Sequence, residues 1–358
     1  MTDINVKRIV DTLERSTAKI TMFADGFVDE VWEIVNSRAN MTDYTLYTRM
    51  NQFADRITSS GSGGVGLELI RKRRAFGGFA PNIGYAAARL GVNATLVGVF
   101  GKDKLDPVFE EVGALCCVHS LDDPSVTHVF EFDDGKILMS HMETVQDVSW
   151  KSIVDSLGID KVKSLLKESD IIGIGYWSLL PSFDEILENI CAHLPDDDKQ
   201  RRFFFDFADF RKKDEVSLNN TLQNLKRLNA KYPMILSVNE HEGATLFKLY
   251  NETFDNEGRS VQEKTEHVRK QMGLDELVIH APNYAVAASS SEAPAFATSV
   301  FCEKPTRTAG GGDTFNGGYI SAKLAGLDML DCLHVANAAV GYFIRNAAFP
   351  EINNLSFS

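Results

Sequence analysis

Toward the C-terminal end of the 358-residue chain, three glycines run into an acid: Arg307-Thr308-Ala309-Gly310-Gly311-Gly312-Asp313-Thr314-Phe315-Asn316-Gly317-Gly318. Glycines let a backbone turn its N–H groups inward with no Cβ in the way. A helix starting just beyond them adds free donors and partial positive charge, so the pair makes an anion site. An aspartate at the mouth of that site repels a phosphate unless it handles a proton. A base beside a phosphate cradle is what phosphoryl transfer to a hydroxyl requires. Asp313 is therefore the candidate base. The amides around Gly310, Gly311 and Gly312 are candidates for holding the charge that develops on the transferred group. The same residues also suit a plain glycine-rich turn with an N-capping Asp.

A second segment reads Gly77-Gly78-Phe79-Ala80-Pro81-Asn82-Ile83-Gly84-Tyr85-Ala86-Ala87-Ala88-Arg89-Leu90-Gly91. It is a glycine turn followed by a small-residue helix, with Pro81 in the first turn and Gly91 at the end. Gly84 and the alanines predict close packing against a sheet. Between the two segments stands Asn239-Glu240-His241-Glu242, just after an apolar strand. Its amide and carboxylate suit a hydrated Mg²⁺, and equally a capping box at a helix start. Asp25-Gly26-Phe27-Val28-Asp29 follows the first strand.

Taken together and in this order, the four segments resemble the ribokinase-like (phosphofructokinase-B) carbohydrate kinases, over about residues 20–345. The resemblance implies an ATP-dependent, Mg²⁺-dependent kinase acting on a sugar hydroxyl. It implies Asp313 as base, and Asp29 and Asp25 with Gly77, Gly78 and Asn82 at the sugar. Asp25 also suits a turn cap. Asp206, Asn239 and Asn337 are implied at the nucleotide, and Asn239 and Glu242 at the metal, through water. Arg211, in Asp206-Phe207-Ala208-Asp209-Phe210-Arg211, resembles a residue near the nucleotide phosphates and equally suits a plain surface position. The implied fold is α/β: a mainly parallel central sheet with helices on both faces, plus a small β-sheet lid. One kinase domain is expected over 1–358, with 38–76 contributing to the lid and the lid mediating a homodimer.

Two departures matter. Many members carry Asp where this chain has Arg307, and that Asp helps bind a monovalent cation. A cation site lined by Arg is self-defeating, so K⁺ activation does not carry over. The strand at 276–280 is usually followed by a glycine-containing nucleotide turn. Here it is Ala281-Pro282-Asn283-Tyr284-Ala285, which calls for a differently built loop. Two alternatives remain open: a nucleoside or other small-alcohol kinase, which an aromatic pair among Tyr44, Tyr47 and Phe53 would favour, and a non-catalytic sugar or nucleotide sensor.

The elements that must position these residues are read from periodicity. Residues 1–18 predict an amphipathic helix. Strands are expected at 19–23, 95–100, 170–174, 202–207, 234–238, 276–280 and 284–288. A hairpin is expected at 126–132 and 136–141 around Asp133-Asp134-Gly135. Apolar strands alternating with helices predict the parallel sheet. Gly61-Ser62-Gly63-Gly64-Val65-Gly66 matches G-x-G-x-x-G, but it lacks a buried strand before it and an acid about 20 positions after it. It is not a dinucleotide fingerprint.

Hydrophobic content of 44% supports a large core, and a net charge of −13 argues against general binding of nucleic acid or acidic membranes. The five cysteines have no Cys-x-x-Cys spacing and the eight histidines no metal spacing. With no apolar run of membrane-spanning length and no signal-peptide core, a cytoplasmic protein is expected.

Overall fold

The computed structural model describes residues 4–252 and 260–357. Among them are fourteen strands: β1 (Lys19–Phe23), β2 (Phe27–Arg38), β3 (Tyr44–Leu46), β4 (Glu68–Gly77), β5 (Asn93–Gly98), β6 (Cys117–Ser120), β7 (Ser125–Phe132), β8 (Gly135–His141), β9 (Ile171–Ile174), β10 (Arg202–Asp206), β11 (Met234–Asn239), β12 (Glu276–His280), β13 (Tyr284–Ser289) and β14 (Ala295–Thr298).

Nine of them form one sheet in the order β14-β13-β12-β11-β10-β9-β1-β5-β6. From β12 to β6 the neighbours run parallel, and β13 and β14 join antiparallel at one edge. The parallel strands are buried on both faces, which is why they read as unbroken apolar runs. Phe203, Phe204 and Phe205 of β10 show the alternation. Phe204 enters the core beneath the helices Phe79–Arg89, Gly311–Leu324 and Met329–Asn346, and its two neighbours enter the core on the opposite face. After β1 the chain builds outward through β5 and β6, then returns to the other side of β1 with β9. The strand order reverses there, and the crevice beyond the carboxyl ends of such strands is where open α/β sheets bind ligands.

The second sheet is the lid. Its central strand β2 pairs with β4 on one side and with β7, then β8, on the other, and β3 joins its far end. It is larger than the excursion expected at 38–76. β2 itself and the 125–141 hairpin belong to it, and a helix, Met50–Thr58, lies within it. Ile34, Tyr47 and Phe53 form a small core with Phe130, Phe132 and Ile137 on one face of this sheet. The N-terminal helix covers Val6–Glu14, shorter than the periodicity predicts, and residues 1–3 lie outside the described residues.

Candidate active site

Asp313 lies in the first turn of the Gly311–Leu324 helix, which begins after Gly310 at φ +87. Its carboxylate is held from two sides. Asn82 Nδ2 donates to Oδ2 at 2.7 Å, and the Tyr176 hydroxyl donates to Oδ1 at 2.6 Å. Asn82 reaches it because the two helices nearly touch. A Cβ on Gly317 would lie 2.5 Å from Ala86 Cβ, so a larger residue there would push the helices apart. Tyr176 follows β9, with its ring edge-on to Phe79. Burial, then the nearby Asp206, raises the Asp313 carboxyl to about 7, against the pull of its two hydrogen bonds. A carboxyl poised near 7 is suited to taking a proton at neutral pH. Burial keeps the Tyr176 hydroxyl protonated, far above its usual range. Among the described residues Asn82 Oδ1 is buried without a partner, an acceptor left for a group from outside.

Asp25 and Asp29 have different surroundings. Asp25 is fully buried, and its two oxygens accept the amides of Phe79 and Ala80, each at 2.9 Å. It caps the Phe79–Arg89 helix, as the structural expectation for Asp25 has it. Burial pushes its carboxyl to about 8 despite those bonds. Asp29 lies on β2, opposite Ala75, and accepts no protein hydrogen bond among the described residues. Burial raises it to about 6, while Arg307, Lys136 and Arg73 pull the other way. Gly77 and Gly78 make room for these acids. A Cβ on Gly77 would fall 2.6 Å from Asp29 Oδ2, and one on Gly78, at φ +104, 3.0 Å from Asp25 Oδ2.

On the other side of Asp313, the carboxyl ends of β10 and β11 bring together Asp206, Asn239 and Glu242. Asp206 accepts the amide of Ala208 at 2.8 Å and the Asn316 amide group at 3.0 Å. Ser237 in turn donates to Asn316 Oδ1 at 2.6 Å. Asn239 and Glu242 form the reciprocal capping box, with Asn239 N donating to Glu242 Oε2 at 2.9 Å and Glu242 N to Asn239 Oδ1 at 3.0 Å. Burial and then the Asp206 charge push Glu242 to about 9, and burial raises Asp206 to about 6. The two buried acids thus lie close enough for the Asp206 charge to act on Glu242. That oxygen-rich pair fits a hydrated divalent ion. No cluster of three metal-binding side chains occurs among the described residues, so the fit is to an ion that keeps most of its waters.

Beside Gly311 and Gly312 opens an apolar cleft of about 540 Å³, walled by His280, Phe315, Val340 and Asn337. Asn337 reaches this wall and donates to Thr298 O at 3.3 Å. The turn after β12 closes without glycine, with Ala281 N donating to Tyr284 O at 2.8 Å, and it forms part of the same wall. His280, held neutral by burial at about 4, lies tilted against Phe315 with ring centroids 4.9 Å apart. Arg211 is exposed and paired with Asp209 at 2.8 Å. Arg307 donates to Ala309 O at 3.0 Å and lies over the Phe343 ring.

A buried acid thus stands at a glycine-rich helix start beside an apolar cleft. The model of the prokaryotic ketohexokinase family matches residues 3–357. The chain belongs to that family. A ketohexokinase of Haloferax volcanii is 26% identical over 341 residues, covering 92% of this chain and 88% of that protein. Among solved structures, an Arabidopsis thaliana ribokinase complexed with ribose and ATP shares the fold, with TM-score 0.65, 15% identity, and coverage of 96% of this chain and 100% of that one. An archaeal nucleoside kinase from Methanocaldococcus jannaschii, of the ribokinase family, has TM-score 0.61, 15% identity, and coverage of 95% and 97%. This ketohexokinase-family chain is thus a carbohydrate kinase, a phosphotransferase with an alcohol acceptor.

Sequence reasoning missed two residues of this site. Tyr176 was visible only as an aromatic just past an apolar strand. Asn316 stands one helical turn beyond Asp313, a spacing that places both on one face of the helix.

Proposed function

We propose that the chain transfers the γ-phosphoryl group of ATP to a hydroxyl of a hexose-sized ketose, with Asp313 as general base. The observation that carries this is the Asp313 carboxylate, gripped by Asn82 and Tyr176 with its carboxyl raised to about 7. The hydroxyl lies against Asp313, whose carboxylate takes its proton as the oxygen attacks. The 310–313 amides meet the transferred charge. Asn82 Oδ1 and Asp29 accept hydroxyls of the sugar, and lid closure excludes water, the competing nucleophile. The apolar cleft receives the nucleotide, with Asn337 on its wall. The ketose is suggested by the family and by the Haloferax volcanii relative. Turnover of a ketohexose by purified protein with ATP and Mg²⁺, against an aldohexose and a nucleoside, tests it. Nucleoside turnover exceeding that of every sugar would overturn it.

The nucleoside alternative loses its stacking pair. Tyr47 and Phe53 are used in the small lid core, and Tyr44 stacks on Arg38. A sensor without catalysis has no reason to keep a base with two dedicated hydrogen-bond donors.

When bound, Mg²⁺ neutralises the donor phosphates, and Asp206, Glu242 and Asn239 are the residues to hold its waters. Glu242→Gln keeps much of the capping geometry and removes charge. The Mg²⁺ concentration for half-maximal rate is expected to rise several-fold, with little change in melting temperature. An unchanged Mg²⁺ titration with a lowered melting temperature assigns Glu242 to the cap alone.

The chain is also proposed to dimerise through its lid. Leu138 and Met139 on β8 are 54% and 53% exposed at the outer strand of a sheet, where unpaired backbone and apolar side chains favour a partner. Size-exclusion with light scattering is expected to report two chains, and Leu138→Glu one. A monomeric wild type removes this part. No helix among the described residues is long and apolar enough to cross a membrane. With the acidic net charge, this supports a cytoplasmic place and no nucleic-acid partner.

A further inference from the structure

The apolar cleft beside Gly311 and Gly312 is poor in groups that meet an anion. Among the described residues two carboxylates, Glu240 and Glu303, line it, and no lysine or arginine does. The turn after β12 adds little. Its Ala281 N is committed to Tyr284 O, and Pro282 has no N–H to give. Four nitrogen-bearing side chains reach the wall: Asn239, His241, His280 and Asn337. Asn239 is held in its capping box, Asn337 donates to Thr298 O, and His241 is exposed. His280 is left.

His280 is the last residue of β12, in register with Asn239 on β11 and with Ala285 on β13. That is the carboxyl end of the sheet, where ligands bind. One side of its ring lies against Phe315. A Cβ on Gly312 would fall 3.2 Å from its Cε1 and 3.6 Å from its Nε2. The imidazole therefore stands against the first turn of the Gly311–Leu324 helix, on the cleft side. Asp313, one residue further on, turns instead to Asn82 and Tyr176. Among the described residues neither ring nitrogen of His280 has a hydrogen-bond partner, and neither is shut off from solvent. Polar groups within a fold are ordinarily paired, so a half-buried imidazole left open to a cleft is a donor without its ligand. Burial alone keeps the ring neutral. One nitrogen then donates and the other accepts, and an uncharged N–H loses less on leaving water than an ammonium does.

We propose that His280 binds the phosphoryl donor, its ring N–H donating to a phosphate oxygen of the nucleotide beside Gly312. This rests on the kinase function proposed above, in which the cleft receives the nucleotide, and names a side chain that holds the phosphates there. The imidazole supplies the donor that the first two residues of the turn after β12 do not. With the 310–313 amides it meets the anion without a lysine or arginine in the cleft. Gly312 stays a glycine because a side chain there would crowd the ring that does this.

The test is calorimetric titration of the full chain with ATP, ADP and adenosine, in Mg²⁺ and without acceptor, for the wild type, His280→Leu and His280→Gln. In His280→Leu, ATP and ADP are expected to bind about 10-fold or more weakly, the scale of one hydrogen bond to a charged group, with adenosine within about twofold. His280→Gln keeps an N–H and is expected to recover part of the loss. Equal weakening of ATP and adenosine assigns the ring to the base or to the wall, and overturns the contact. Unchanged ATP binding in a variant with a normal thermal melt overturns it too. Should His280→Leu fail to fold, the wild type decides. The nitrogen-15 resonances of the His280 ring, assigned by their absence from His280→Gln, are expected to shift with ATP and not with adenosine. Resonances that ATP leaves in place overturn the contact. Because no acceptor takes part, the result is separate from the kinase reading. ATP binding that depends on His280, with no sugar turned over, sinks the kinase and keeps the contact. Sugar turnover with ATP binding indifferent to His280 does the reverse.

Discussion

Asp313→Asn is expected to lower kcat by roughly 10²–10⁴-fold, the usual contribution of a general base, with acceptor KM near that of the wild type. The amide keeps the shape of the carboxylate, and at least one of the hydrogen bonds from Tyr176 and Asn82 survives. It cannot take a proton. The wild type's pH dependence supplies the companion measurement. With the Asp313 carboxyl at about 7, the working form is the deprotonated one. Activity should fall about tenfold per pH unit below that value and level off above it. This slope is expected to disappear from the residual activity of Asp313→Asn. A variant with near-normal kcat, or a rate flat from pH 5 to 8, would exclude Asp313 as the base.

Asp29→Ala should act on binding instead. Two hydrogen bonds from sugar hydroxyls to a carboxylate contribute about 1.5 kcal/mol each or more. Their loss raises acceptor KM by roughly 10²-fold, with a smaller change in kcat. The neighbouring acid behaves differently. Asp25→Ala strips two buried amides, Phe79 N and Ala80 N, of their acceptor, and so should lower the melting temperature before it touches KM. Initial rates over a range of sugar concentration, with a thermal melt of each variant, separate the two acids. A normal KM in folded Asp29→Ala would move the hydroxyl contacts elsewhere.

What was legible in the sequence was local. The glycine run at 310–312 with Asp313, the Gly77-Gly78 turn into a small-residue helix, and the apolar strands ahead of Asp206 and Asn239 each lie within one continuous segment. Their chemistry follows from neighbours along the chain, and the central sheet and its helices were foreseeable from the same periodicities. The capping box of Asn239 and Glu242 was foreseeable for the same reason. The tertiary structure decided the rest. Asn82 meets Asp313 across 231 residues, Tyr176 meets it across 137, and Asn316 meets Asp206 across 110. The lid's extent was hidden because β2 recruits β7 from far along the chain. The different surroundings of Asp25 and Asp29 were hidden because two acids four residues apart look alike until one is seen to be enclosed by helix amides. Strand pairing and helix crossing set these meetings, and the raised carboxyls of the site arise only from burial and from charges that those pairings bring close. Neither quantity exists in a chain read one neighbourhood at a time.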